Sequence, residues 1–157
     1  MRKSIIAQEN KDFISPELNW LDLLSVARAE LTSEDTMHPI ESALTPLAEL
    51  GWRASEPGMQ TIRLLFDEPL QIRRVHLVFQ EDKQQRTQEF VLRLSLDEGR
   101  SYREIVRQQY NFTPPDTSLE IEEYIVDLIG VTALELVIVP DISGGDAHAS
   151  LGRLLIA

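Results

Sequence analysis

Cysteine is absent from this chain, histidine occurs three times in 157 residues and tryptophan twice, and no long apolar run is present. Without thiols there is no disulfide framework, no thiolate metal site and no cysteine nucleophile. The best apolar run, "ALELVIVP", stops at Pro140, far short of the ~18 to 20 residues that cross a bilayer. At the N-terminus, "MRKSIIAQENKDF" offers only Ile5, Ile6 and Ala7, against roughly 7 to 15 apolar residues in a signal peptide. The expectation is a cytoplasmic protein with no membrane partner. His38, His76 and His148 form neither a His-x-His nor an i, i+4 pair, so a sequence-local metal triad is missing and each histidine reads as a surface or capping residue. GxSxG, Walker and GxGxxG patterns are also absent, and "SGGD" at Ser143 to Asp146 reads as a plain turn.

Charge is plentiful but lopsided: 15 Lys and Arg against 26 Asp and Glu give a formal net charge of -11. Such a chain repels a phosphate backbone unless its cations gather on one face. They gather in part, with ten Lys/Arg against nine Asp/Glu over residues 53–107 and only Arg153 against eight acids over 108–157. The simplest reading is of solvated strand faces, so nucleic acid is not an expected partner.

Apolar residues recur mainly with period two between turn signals, the pattern of an all-β sandwich. In "MQTIRLLF", Ile62, Leu64 and Phe66 share one face, and Asp67 to Pro69 is expected to close the strand. "RRVHLVF" sends Val75, Leu77 and Phe79 inward and Arg74, His76 and Val78 outward. "EFVLRLSL" presents Phe90, Leu92 and Leu94, then meets the turn sequence "DEG". "YREIVRQQ", "SLEIEEYIV", "ALELVIV" and "SLGRLLI" complete at least seven strands. Glu120 and Glu122 share a strand face about 7 Å apart, a spacing that suits glycosidic chemistry. Nothing points to a cleft, so the pair reads as a solvated face and an enzyme is not expected. Helix is confined to a turn or two in "HPIESALTPLAEL", starting near Pro39. Residues 1–17 read as an N-terminal arm or extra edge strand, and residues 18–157 as one domain, long enough to bury roughly 70% of its unfolded surface.

The order of several segments resembles the discoidin or coagulation-factor type C (F5/8 type C) family of galactose-binding-domain-like jelly rolls. The segments are "AELTSEDTMHPIESAL", "GWRA", "GMQTIRLLFDEPLQIRRVHLVF", "LRLSLDEGRSYREI" and "ASLGRLLIA", spanning about Leu23 to Ala157. The family's S-x-D-G signature stands here as "SLDEG", with Glu98 inserted. The resemblance implies an antiparallel β-sandwich, a jelly roll of about eight strands with one short helix. It places Trp52 beneath the sandwich's end as a core residue, the alternative being a ring exposed on a loop beside Arg53 for a sugar to stack on. Trp20 reads as core too. Some sugar-binding relatives hold a structural calcium ion, for which Glu34, Asp35 and Glu41 lie in the matching region, although the usual Asp-rich loop is not evident and no cofactor is expected.

Function does not follow from a superfamily that binds sugars, lipids, proteins and nucleic acid. Apolar loop spikes for lipid are missing, since only "NFTPPDT" offers an exposed aromatic. "RQQYNFTPP", Arg107 to Pro115, is the best local candidate for recognition, because rings cover sugar C–H faces while amides and guanidiniums bond hydroxyls. Tyr110 and Phe112 have a second reading as the aromatic cap of a strand end. The first expectation is a non-catalytic carbohydrate-binding module contacting its ligand through His38, Arg86, Tyr110, Asn111 and Phe112. The alternative is a protein-interaction or assembly module using a sheet face or the acidic C-terminal third.

Overall fold

The computed structural model describes residues 1–4, 19–47 and 50–157. The expected N-terminal arm falls mostly on residues outside these. A four-residue helix, α1 (Leu23–Val26), leads into β1 (Ala27–Leu31); a 3-10 turn at Ile40–Ala43 precedes β2 (Trp52–Pro57) and β3 (Gln60–Gln80). There follow β4 (Arg86–Ser95), β5 (Arg103–Phe112), β6 (Leu119–Val139), β7 (His148–Leu151) and β8 (Arg153–Ile156). All pairings are antiparallel, and the fold is the expected β-sandwich of eight strands.

Two strands of 21 residues build both layers. The first half of β3 lies between β1 and the second half of β6, which continues into β4 and β5. Its second half lies between β8 and the first half of β6. Between Leu65 and Arg74 the β3–β6 register slips three times, and such bulges bend a strand pair sharply. Asp67 to Pro69 therefore does not close the strand, as its turn composition implied. Pro69 falls in an interrupted part of the ladder, where its missing N–H removes no hydrogen bond. The same holds for "SLEIEEYIV" and "ALELVIV", which are the two halves of β6 rather than separate strands.

The core is where the layers face each other. Ile62, Leu64 and Phe66 from the first half of β3, Val75, Leu77 and Phe79 from its second half and Phe90, Leu92 and Leu94 from β4 are buried, following the alternation of the sequence. Phe79 stacks on Phe90 with ring centroids 5.0 Å apart, joining the two layers. Trp52 is 1% exposed, and its indole N–H donates to the Ser33 carbonyl at 3.2 Å. It is a core anchor with its polar atom satisfied, and no sugar reaches it.

Three sequence expectations change. His76 points to the outer face but is buried there, its Nδ1 2.8 Å from Glu123 Oε1 and its ring 6.0 Å from that of Trp20. Trp20 is thus a half-buried cover of the outer face rather than core. Glu120 is 3% exposed instead of solvated, because β6 turns Glu120, Glu122 and Tyr124 toward the opposite layer and leaves Leu119 40% exposed. The inserted Glu98 is absorbed by a left-handed turn, Glu98 at φ 62° and Gly99 at φ 84°, tied by Gly99 N–H donating to Ser95 Oγ at 2.8 Å.

Candidate ligand-binding site

One end of the sandwich gathers the start of β4, the end of β5 and the loop after β6. The register puts Arg86 opposite Phe112 and Thr87 opposite Asn111, while Ile142 N–H donates to the Thr87 carbonyl at 2.9 Å and draws the loop after β6 alongside. Between them lies a cavity of about 500 Å³. Gln85, Arg86 and Thr87 line it from β4 and the loop before it, Asn111, Phe112 and Thr113 from β5 and the loop after it, and Asp141 and Ser143 from the loop after β6.

Beneath the cavity, Arg86 is buried and held through two of its three guanidinium nitrogens. Its Nε donates to Glu81 Oε1 at 2.8 Å, and one terminal nitrogen donates to the Pro140 carbonyl at 2.7 Å and to Gln88 Oε1 at 3.1 Å. The guanidinium carbon lies 4.7 Å from the centroid of the Phe112 ring, a cation–π contact. Burial pushes the Glu81 carboxyl up, but the hydrogen bonds from Arg86 and from Lys83 N–H outweigh it and hold the group below the usual carboxylate range. This cluster ties the loop before β4, β4 itself and the end of β6 to one point.

The cavity wall is made of hydroxyls, amides and one carboxylate. Thr87 Oγ1 donates to Asn111 Oδ1 at 2.7 Å, which orients the Asn111 amide and leaves its NH2 group unpaired among the described residues. Ser143 N–H donates to Asp141 Oδ1 at 3.0 Å, and Asp141 Oδ2 makes no hydrogen bond among the described residues. Thr113 and Thr117 hold the loop between β5 and β6 closed, with Thr113 N–H donating to the Thr117 carbonyl at 2.9 Å. Paired donors and acceptors of this kind match hydroxyl groups, each of which both donates and accepts.

Of the five residues expected from sequence, the structure brings Arg86, Asn111 and Phe112 together around this cavity. Two corrections apply among these. Arg86 is 4% exposed, and its Nε and one terminal nitrogen donate to protein acceptors, so it supports the site from beneath. Phe112 is fully buried under that guanidinium, so "NFTPPDT" carries no exposed ring for stacking. Tyr110 does not line the cavity: its ring packs edge-on against Phe112 with centroids 5.0 Å apart, and its hydroxyl donates to the Leu119 carbonyl at 3.1 Å. His38 lies on the turn before the 3-10 helix, its Nδ1 3.6 Å from Asp35 Oδ2, and does not reach the cavity.

Sequence reasoning missed Gln85, Thr87, Thr113, Asp141 and Ser143. Only the last two carried a signal, as part of a Pro-Asp-Ile-Ser-Gly-Gly loop that reads equally well as an ordinary turn. Glu34 Oε1 accepts from Ile40 N–H at 2.7 Å and Asp35 Oδ1 from Met37 N–H at 3.0 Å, and among the described residues no three His, Cys, Asp or Glu side chains gather at one point. Glu120 is buried in the sandwich with Glu122 half-buried beside it, and neither lines the cavity. Burial pushes the Glu120 carboxyl up to about 8, aided by the Glu122 carboxyl beside it and opposed by Arg86.

By sequence, no family model and no curated protein matches the chain. Solved structures do resemble it. A family 32 carbohydrate-binding module (CBM32) of AlyQ, in complex with 4,5-unsaturated mannuronic acid, is 14% identical with a TM-score of 0.62, over 85% of this chain and 95% of that one. CpGH89CBM32-5 from Clostridium perfringens, in complex with GalNAc-β-1,3-galactose, is 19% identical with a TM-score of 0.63, over 88% of this chain and 99% of that one. The family 32 module of C. perfringens NanJ, in complex with galactose, is 10% identical with a TM-score of 0.60, over 83% and 92%. The chain shares the β-sandwich fold of these modules. The module-length coverage of these neighbours matches the single sandwich described above.

Proposed function

We propose that this chain is a non-catalytic carbohydrate-binding module of the discoidin-like branch, acting in the cytoplasm, and that its ligand sits in the cavity between β4, β5 and the loop after β6. The observation that carries the reading is the wall itself: the Thr87–Asn111 pair, Asp141 and Ser143 present donors and acceptors around about 500 Å³, a volume within the range of small-ligand sites. The likeness to modules solved with bound sugars supports it. Without an exposed ring on its wall, the site binds by hydrogen bonds alone and weakly for a single sugar.

The test is a glycan array followed by titration of the purified chain. Thr87→Ala with Asn111→Ala is expected to abolish binding with little change in the unfolding midpoint, because Asn111 is exposed and Thr87 half-buried. Undiminished binding by the double variant places the ligand elsewhere. A second reading, docking of a protein on a sheet face, is favoured by Ile125 and Ile129, which stand 87% and 72% exposed on the outward side of β6. Arg replacements at both positions that abolish capture of a partner, with sugar binding unchanged, support that reading.

A further inference from the structure

The exposed charges at this end of the sandwich are mostly negative. Among the described residues, two ionic side chains line the cavity, Arg86 and Asp141. Arg86 has a side chain only 1% exposed, with Nε on Glu81 at 2.8 Å and one terminal nitrogen on Gln88 and the Pro140 carbonyl, so it stands behind the wall. Asp141 holds its loop through Oδ1, and its Oδ2 accepts no hydrogen bond among the described residues. The ionic group left for a ligand is therefore negative. The surrounding loops reinforce it, since residues 81–85, 113–118 and 140–147 carry five acids and a single cation, Lys83.

We propose, resting on the carbohydrate reading above, that the site takes sugars without a carboxylate and rejects uronic acids. A neutral sugar offers hydroxyls that donate to Asp141 Oδ2 and accept from the Asn111 amide. A uronate places a second negative charge in the same cavity, whose wall offers no exposed cation among the described residues to meet it. Like charges roughly 4 Å apart weaken binding about fivefold even at the dielectric constant of bulk water, and more at a protein surface. The buried Arg86 cannot turn outward to compensate without leaving Glu81, Gln88 and the Pro140 carbonyl unpaired.

Matched pairs that differ only in oxidation at C6 test this: galactose with galacturonate, glucose with glucuronate and mannose with mannuronate, titrated into the full chain by heteronuclear NMR. The neutral member of whichever pair binds is expected to bind at least about tenfold tighter at low salt. Asp141→Asn is expected to shrink that ratio, as is ~1 M salt, because the discrimination is electrostatic. Equal or tighter binding of the uronate by the native chain overturns the proposal while leaving the carbohydrate reading intact. A ratio unchanged in Asp141→Asn overturns the assigned cause. If no sugar of either kind perturbs Thr87, Asn111 or Asp141, the carbohydrate reading itself fails and the specificity proposal falls with it.

Discussion

Replacing Arg86 with Met removes the guanidinium that ties this end of the sandwich together while keeping most of the stem that packs on Phe112. Three acceptors lose their donor: Glu81 Oε1 at 2.8 Å, the Pro140 carbonyl at 2.7 Å and Gln88 Oε1 at 3.1 Å. Breaking a buried ion pair from one side costs about 3 to 5 kcal/mol, because the partner charge stays behind without compensation. The Glu81 side chain is 19% exposed and recovers part of its hydration, which places the expected loss near the lower bound, about 3 kcal/mol. For a domain of this size that lowers the thermal midpoint by roughly 6 to 12 °C. The assay is urea unfolding followed by tryptophan fluorescence, with the midpoint falling at unchanged slope. Adding Glu81→Gln is expected to return part of the loss, since the stranded charge is then gone. A loss below about 1 kcal/mol, or a double variant whose losses simply add, refutes the view that Arg86 is a buried tie.

Three further outcomes are expected. Glu120 has a folded-state pKa raised to about 8 against 4.5, so the folded protein holds its proton more tightly than the unfolded chain. Stability is then full below about pH 4.5 and falls as pH rises toward 8, and Glu120→Gln flattens that slope in urea unfolding at stepped pH. Gly51→Ala places a Cβ 2.6 Å from the Leu151 carbonyl oxygen at φ 68°, which is expected to cost about 2 kcal/mol or more by calorimetry. Hydrogen bonds from the hydroxyl of Ser101, then that of Ser95, and from Ser101 N–H lower the Asp97 pKa to about 2. Because the folded value is depressed, the turn persists above the unfolded value and loosens only as pH falls through about 2, which a carboxyl NMR titration reads directly.

The alternation of apolar residues determined, by itself, which side chains form the core. Ile62, Leu64 and Phe66, then Val75, Leu77 and Phe79, and Phe90, Leu92 and Leu94 are buried as their period of two requires. The period is a local property of extended chain and needs no partner to be read. The absence of cysteine likewise limited the chemistry without reference to any fold. Strand ends were less legible, since Asp67 to Pro69 has turn composition but lies inside a bend of β3 that only pairing with β6 sustains.

The binding wall was decided by tertiary structure. Thr87 and Asn111 are 24 positions apart and meet because β4 and β5 pair in one register, while Asp141 arrives from a loop held to β4 by a backbone hydrogen bond. The same register turned Arg86 and Phe112 from expected contacts into buried support, facing Glu81, Gln88 and Pro140. Composition says which side chains are able to bond a hydroxyl. Which of them face a ligand and which face one another depends on the pairing of distant strands, and that is settled only when the two layers close.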